Sequence, residues 1–351
     1  MPQTLLRVSD LTVSFKTDDA FFKAVDNVSF DIHHGEVVGL VGESGCGKSV
    51  SALSLLRLIP SPPGKIENGK VLFKDNDLLK ADLEMVRKIR GREISMIFQE
   101  PLSALSPLQR IGQQMVETIQ IHQALPKSRA WQMSLEWLGK VKIPDAEEKM
   151  HAYPFQLSGG MQQRIMIAMA LMMNPDLIIA DEPTTALDVT IQAQVFQLIR
   201  EMKRERTSIL LITHDMGVVW EMCDRVLVMY ASKIVEEGLM EDIFSAPSHP
   251  YTYSLLKSIP TLSDGKGNRL AVIPGNVPSP ENYPSGCRFR DRCPFAFEKC
   301  RTDMPELISV SDGHRAACHI AGRFGRDAIN RVSTINRVSE ANGMGFNHEK
   351  I

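Results

Sequence analysis

Residues 42–49 read Gly-Glu-Ser-Gly-Cys-Gly-Lys-Ser, between the apolar run 36–41 and a helix-like run over 47–58. A phosphate chain wrapped by consecutive backbone N–H groups needs a loop without bulky side chains at its tightest points, which Gly42 and Gly47 supply. Lys48 is then placed to reach the terminal phosphates and Ser49 to ligate Mg²⁺. The side chain of Cys46 has no required part in this; its backbone does. A second motif, Leu-Ile-Ile-Ala-Asp-Glu-Pro at 177–183, puts Asp181 and Glu182 at the end of a buried-strand pattern. Asp181 there can hold Mg²⁺ through water, and Glu182 can take a proton from an attacking water. A third, Leu-Ser-Gly-Gly-Met-Gln-Gln-Arg at 157–164, offers a hydroxyl and bare backbone amides at a helix start through Ser158, Gly159 and Gly160. One nucleotide does not need two such surfaces from one chain. The second surface is therefore expected to serve a nucleotide held by a partner subunit.

The elements that must position these residues alternate. Strand patterns over 4–41 and at 93–98 precede a stretch, 100–156, in which apolar residues recur at helical spacing. After it come a helix, the strand at 176–182, a helix, a strand at 208–215, a helix, and a hairpin-like pair from Arg225. Such alternation predicts an α/β fold with a parallel sheet. Residues 60–70, rich in Pro and Gly, read as a loop. Prolines and then cysteines mark a small module over 247–320. The polar tail 321–351, with its echo of Ile-Asn-Arg-Val-Ser at 329–333 and 335–339, reads as disordered.

Charge and hydropathy narrow the function. Forty Lys plus Arg face 42 Asp plus Glu, a net charge of −2 that gives no footing for a non-specific nucleic-acid binder. The N-terminus does not read as a signal peptide. No apolar run approaches the roughly 18 residues that span a bilayer; the longest, around 171–180, is broken by Asn174, Pro175 and Asp176. The chain is expected to be soluble or peripheral, reaching a membrane through a partner. Without an export signal a reducing compartment is expected, so four cysteines close together favour a metal over disulfides. Their spacing, Cys287-x5-Cys293-x6-Cys300-x17-Cys318, lacks zinc-ribbon knuckles and does not match ferredoxins. Zinc and an iron–sulfur cluster both stay open on chemistry alone. His314 and His319 could substitute as ligands but read as surface residues.

Taken together, the three motifs, Gln99 in Ile-Phe-Gln-Glu-Pro, Ala-Leu-Asp at 186–188 and His214 in Leu-Ile-Thr-His-Asp resemble an ATP-binding-cassette transporter ATPase over about residues 1–320. The resemblance implies an ABC-type P-loop NTPase over 1–246, with a RecA-like core, an antiparallel β-subdomain and a helical subdomain at about 100–170. It implies ATP held by Gly42, Glu43, Ser44, Gly45, Cys46, Gly47, Lys48, Ser49, Val50, Gln99, Asp181 and His214, with Phe15 stacked on adenine. Phe21 and Phe22 stay possible for that stacking role. Mg²⁺ would be held by Ser49, Gln99 and Asp181. Glu182 would be the general base, with Gln99 and His214 also catalytic. Ser158, Gly159, Gly160, Gln162 and Asp188 would serve the partner subunit's ATP.

The late stretches Ser-His-Pro-Tyr-Thr-Tyr at 248–253, Ile-Pro-Gly-Asn-Val-Pro-Ser-Pro at 273–280 and the cysteine run from Gly286 resemble the C-terminal extension of dipeptide and oligopeptide importer ATPases. Four-cysteine relatives there carry a [4Fe–4S] cluster, which the resemblance places on Cys287, Cys293, Cys300 and Cys318, with zinc as the alternative. It implies a second related ATPase, two membrane permeases and an extracytoplasmic peptide-binding protein as partners, and a peripheral place on the cytoplasmic face of a bacterial membrane. The alternatives are the same role for nickel, glutathione or an oligosaccharide, a soluble cassette ATPase acting on nucleic acid or ribosomes, and a structural metal-binding adaptor.

Overall fold

The computed structural model describes residues 3–17, 21–184, 189–203, 206–259 and 272–321. The chain opens with Thr4–Lys16 (β1) and Phe21–His33 (β2), which pair antiparallel. Val37–Val41 (β3) then enters a different sheet, while Gly64–Phe73 (β4) returns to pair with β1 and carries the two-residue strand Asn76–Asp77 (β5). The loop expected over 60–70 is thus a strand from Gly64 onward. Its pairs with β1, Lys65 with Ser14, Ile66 with Val13 and Lys70 with Ser9, are long-range contacts that outweigh local Pro and Gly signals.

The second sheet has eight strands. Ile94–Ile97 (β6), Leu177–Asp181 (β7), Ser208–Thr213 (β8), β3 and Arg225–Tyr230 (β9) lie side by side in the order β6-β7-β8-β3-β9, all parallel. Lys233–Leu239 (β10) folds back antiparallel on β9 as the predicted hairpin. Every residue of β3, β7 and β8 is buried, as a parallel sheet covered on both faces requires. Alternate side chains feed two cores. Val37, Val41, Ile178 and Ala180 pack with the helices, whereas Val38, Leu40, Ile179 and Ile212 meet Val8, Leu11 and Phe30 of the antiparallel sheet. Between β6 and β7 the chain forms the helices Ile111–His122, Lys127–Lys140 and Gly159–Leu171, with shorter turns among them. Among the described residues no helix is long and apolar enough to cross a membrane.

The late residues continue the large sheet. Ile308–Ser311 (β11) pairs with His314–Ala316 (β12), and β12 pairs with β10. At this seam Glu236 is fully buried. Its carboxylate accepts from the backbone N–H groups of Ser248 and His249 and lies 2.8 Å from His314 Nε2. His314, read from sequence as a surface residue, is therefore a core residue at 3% exposure: a buried carboxylate must be satisfied, and His314 helps to satisfy it.

Candidate functional site

β3 ends at Val41, and the chain turns through 42–47 into the helix Lys48–Leu55. Two glycines are obligatory here. A Cβ on Gly42 would stand 2.1 Å from the Met229 carbonyl oxygen, and one on Gly47 (φ +108°) 2.2 Å from that of Ala24. Gly47 caps the helix with no side-chain bond, which leaves the first N–H groups without a side-chain acceptor. Lys48 is buried and folds back over the loop: its Nζ donates to the carbonyls of Gly42 at 2.8 Å and Glu43 at 3.0 Å. Ser44 and Gly45 are exposed, and Val50 leans on the core beside the antiparallel sheet. Cys46 is fully buried and burial pushes its thiol up, which suits a backbone role rather than a reactive one.

The carboxylates come from the end of β7. Ser49 Oγ donates to Asp181 Oδ1 at 3.0 Å. Burial raises the Asp181 carboxyl above its ordinary range; the charge of Glu182 adds to this, and the Ser49 hydrogen bond and Lys48 oppose it. A half-buried hydroxyl beside a buried carboxylate, both hard oxygens, fits Mg²⁺, which takes one or two protein oxygens and fills the rest of its shell with water and phosphate. Glu182 sits at φ +42°, a region non-glycine residues seldom occupy, and its N–H donates to the Ile212 carbonyl at 2.9 Å. Gln99 Nε2 donates to Glu182 Oε2 at 3.2 Å, and His214 Nδ1 lies 3.5 Å from the same oxygen. Gln99 follows β6 and His214 follows β8. The C-terminal ends of neighbouring parallel strands thus bring these groups together, where α/β sheets bind ligands.

The remaining expected residues are placed as follows. Ser158 caps the helix Gly159–Leu171, its side chain accepting from Met161 N–H, and Ser158 and Gly159 are exposed. Gly160 is half-buried. Gln162 is turned inward at 8% exposure and donates to the carbonyls of Pro154 and Leu157, so it secures the preceding turn instead of presenting its amide outward with Ser158. Its neighbour Gln163 donates to the Pro183 carbonyl and ties this helix to the segment after Glu182. Asp188 lies outside the described residues. Phe15 and Phe22 are cross-strand partners with stacked rings, centroids 5.9 Å apart, while Phe21 is exposed.

Two contacts to the loop come from late residues to which the sequence assigns no role at the nucleotide site. The Tyr251 hydroxyl accepts the Glu43 N–H at 2.8 Å, and Arg292 grips the Glu43 carboxylate with both terminal nitrogens, at 2.7 and 2.9 Å. Residues 249 positions apart carry no periodicity or spacing that would announce this pair.

The four late cysteines line one small pocket with Phe289 and Pro305. Against the larger effect of burial, backbone N–H groups act to lower three of the thiols, those of Phe289 and Arg290 at Cys287, that of Phe295 at Cys293 and that of Ile320 at Cys318. Burial pushes the Cys287 thiol up, Cys293 to about 11 and Cys318 to about 12, and the neighbouring thiols add to each shift. All six cysteines are free. Among the described residues, however, no group of three or more His, Cys, Asp or Glu is arranged to hold a metal ion, so the four cysteines share a pocket without standing in the ligand geometry of the expected cluster.

Comparison with known proteins bears on 90% of the chain. Residues 25–185 match the ABC transporter family, and residues 235–300 match the oligopeptide/dipeptide transporter C-terminal region. The chain is 49% identical to a probable peptide ABC transporter ATP-binding protein of Sinorhizobium fredii, covering 90% of this chain and 94% of that one. It is 49% identical to the oligopeptide transport ATP-binding protein AppD of Bacillus subtilis (90% and 97% covered) and 46% identical to the dipeptide transport ATP-binding protein DppD of Escherichia coli (90% and 96%). Among solved structures it resembles a post-hydrolysis ATP-binding cassette dimer bound to ADP and phosphate, with a TM-score of 0.60 at 27% identity over 67% of this chain and 98% of that one.

Proposed function

Because the chain belongs to the ABC transporter family, among the ATP-binding proteins that carry the oligopeptide/dipeptide transporter C-terminal region, we propose that its ATP hydrolysis drives di- or oligopeptides through a membrane importer. The observation that carries the ATPase reading is the meeting of Lys48, Ser49, Asp181, Gln99, Glu182 and His214 along one edge of the parallel sheet. The match of 235–300 favours peptides over nickel, glutathione or oligosaccharides.

In this reading Lys48 leaves the Gly42 and Glu43 carbonyls for the terminal phosphates, and the uncapped helix start adds N–H donors. Ser49, Asp181 and Gln99 would hold Mg²⁺, which would supply charge neutralisation at the phosphates. Glu182 accepts the proton of the attacking water, and Gln99 and His214 fix where its carboxylate points. Phe15 stacks on the adenine. Ser158, with Gly159 and Gly160, faces the ATP of a second, related ATPase subunit. Two permeases carry the pair at the cytoplasmic face of the membrane, and a binding protein outside delivers the peptide. Deleting the chain from its host is expected to abolish growth on di- and oligopeptides as sole nitrogen source. The parent chain restores growth and Lys48→Ala does not. Undiminished growth on every peptide tried, with loss of uptake of another solute, would refute the peptide assignment.

The four cysteines are proposed to take up a [4Fe–4S] cluster. What supports this is four sulfurs lining one pocket. Anaerobically purified chain is expected to contain iron and sulfide in equal amounts and to absorb in the visible. Stoichiometric zinc without sulfide would overturn the cluster.

A further inference from the structure

A loop that gathers a triphosphate is poorly served by a bare carboxylate, yet Glu43 stands inside it, directly after Gly42. Like charges a few ångströms apart repel, the more so where water is partly excluded. The structure supplies the counter-charge from far along the chain. Arg292 is 7% exposed, and its fork closes on both oxygens of Glu43. The rest of the guanidinium is fixed by the protein: Nε donates to the Pro274 carbonyl at 2.9 Å and Nη2 to that of Gly275 at 3.2 Å. Beneath this clamp Tyr251 is fully buried and takes the Glu43 N–H, its ring packed on Tyr230 at 4.6 Å between centroids. Glu43 is thus held by side chain and backbone at once.

We propose that Arg292 is a positioning residue of the nucleotide site: it cancels the charge of Glu43 within the phosphate-wrapping loop and, with Tyr251, holds that loop in the shape that receives ATP. The C-terminal extension then completes the ATP site instead of hanging beside it. This rests on reading residues 42–49 as the ATP loop, and the test separates the two claims.

Binding of Mg-ATP to the full chain is measured with a fluorescent ATP analogue, alongside thermal melting. Arg292→Met unmasks Glu43 and is expected to weaken binding roughly tenfold or more, the scale on which a displaced group is felt. Arg292→Lys keeps the charge and loses the fork, and is expected to fall between. The telling measurement is rescue. Adding Glu43→Gln to Arg292→Met removes the unmasked charge and is expected to restore most of the affinity. Should Arg292→Met fail to fold, Arg292→Gln decides the matter: it keeps an amide donor for the Pro274 and Gly275 carbonyls without the charge, and is expected to weaken binding to a similar extent. Parent-like binding by folded Arg292→Met or Arg292→Gln, or absence of rescue, would each overturn the proposal. Parent-like binding by Lys48→Ala would instead overturn the reading of the loop itself.

Discussion

Replacing Glu182 by Gln is expected to lower ATP turnover by the assembled transporter by about 10²–10⁴-fold, the usual contribution of a positioned general base, while ATP binding survives. Glutamine has nearly the same shape and can keep its place between Gln99 and His214, which lie 3.2 and 3.5 Å from the Glu182 oxygen. It cannot accept the proton of the attacking water. The loss should therefore appear in kcat and spare the affinity for ATP, because Lys48, Ser49 and Asp181 are untouched. Phosphate release and ATP-analogue titration on one preparation check this. A parent-like rate would remove Glu182 from the role of base.

Gly47→Ala is expected to abolish ATP binding and lower the melting temperature. The added methyl would lie 2.2 Å from the Ala24 carbonyl oxygen and 2.8 Å from the Met229 side chain, on a backbone at φ +108°. Strain of this kind costs about 1–3 kcal/mol and overpacking about as much again. The backbone of Ala24 lies in β2, so the loop must yield, and its N–H groups leave their positions. Gly45→Ala provides the contrast. Its φ is +79°, but a Cβ there meets nothing within 4 Å, so strain alone is expected and ATP binding should persist. Parent-like ATP binding by Gly47→Ala would contradict the geometry assigned to the loop.

Much of this arrangement was legible in the sequence where local rules govern it. The loop 42–49 follows a buried strand and opens a helix, as its glycines demand, and Asp181 ends a wholly buried strand. The helices between β6 and β7 followed from apolar spacing. What stayed hidden depends on distant partners. Residues 64–70 are polar and glycine-rich, and only their pairing with β1 makes them a strand. Gln162 lies three residues after the exposed Gly159, yet it donates to the carbonyls of Pro154 and Leu157 and turns inward. His314 looked like an ordinary polar residue until the buried carboxylate of Glu236 gave it a partner. The grip of Arg292 on Glu43 joins two ends of the chain, and neither residue type is unusual where it stands.

The large sheet has one more property. Its two margins, β6 and β11, are each four residues long, and β11 exists only because the cysteine-bearing segment returns to lay β12 along β10. Seven-residue β10 would otherwise form that rim and offer its unpaired amides and carbonyls to any passing strand. The extension thereby leaves the protein a short, poor template for self-association, a benefit to a subunit that must wait unaggregated for its partners.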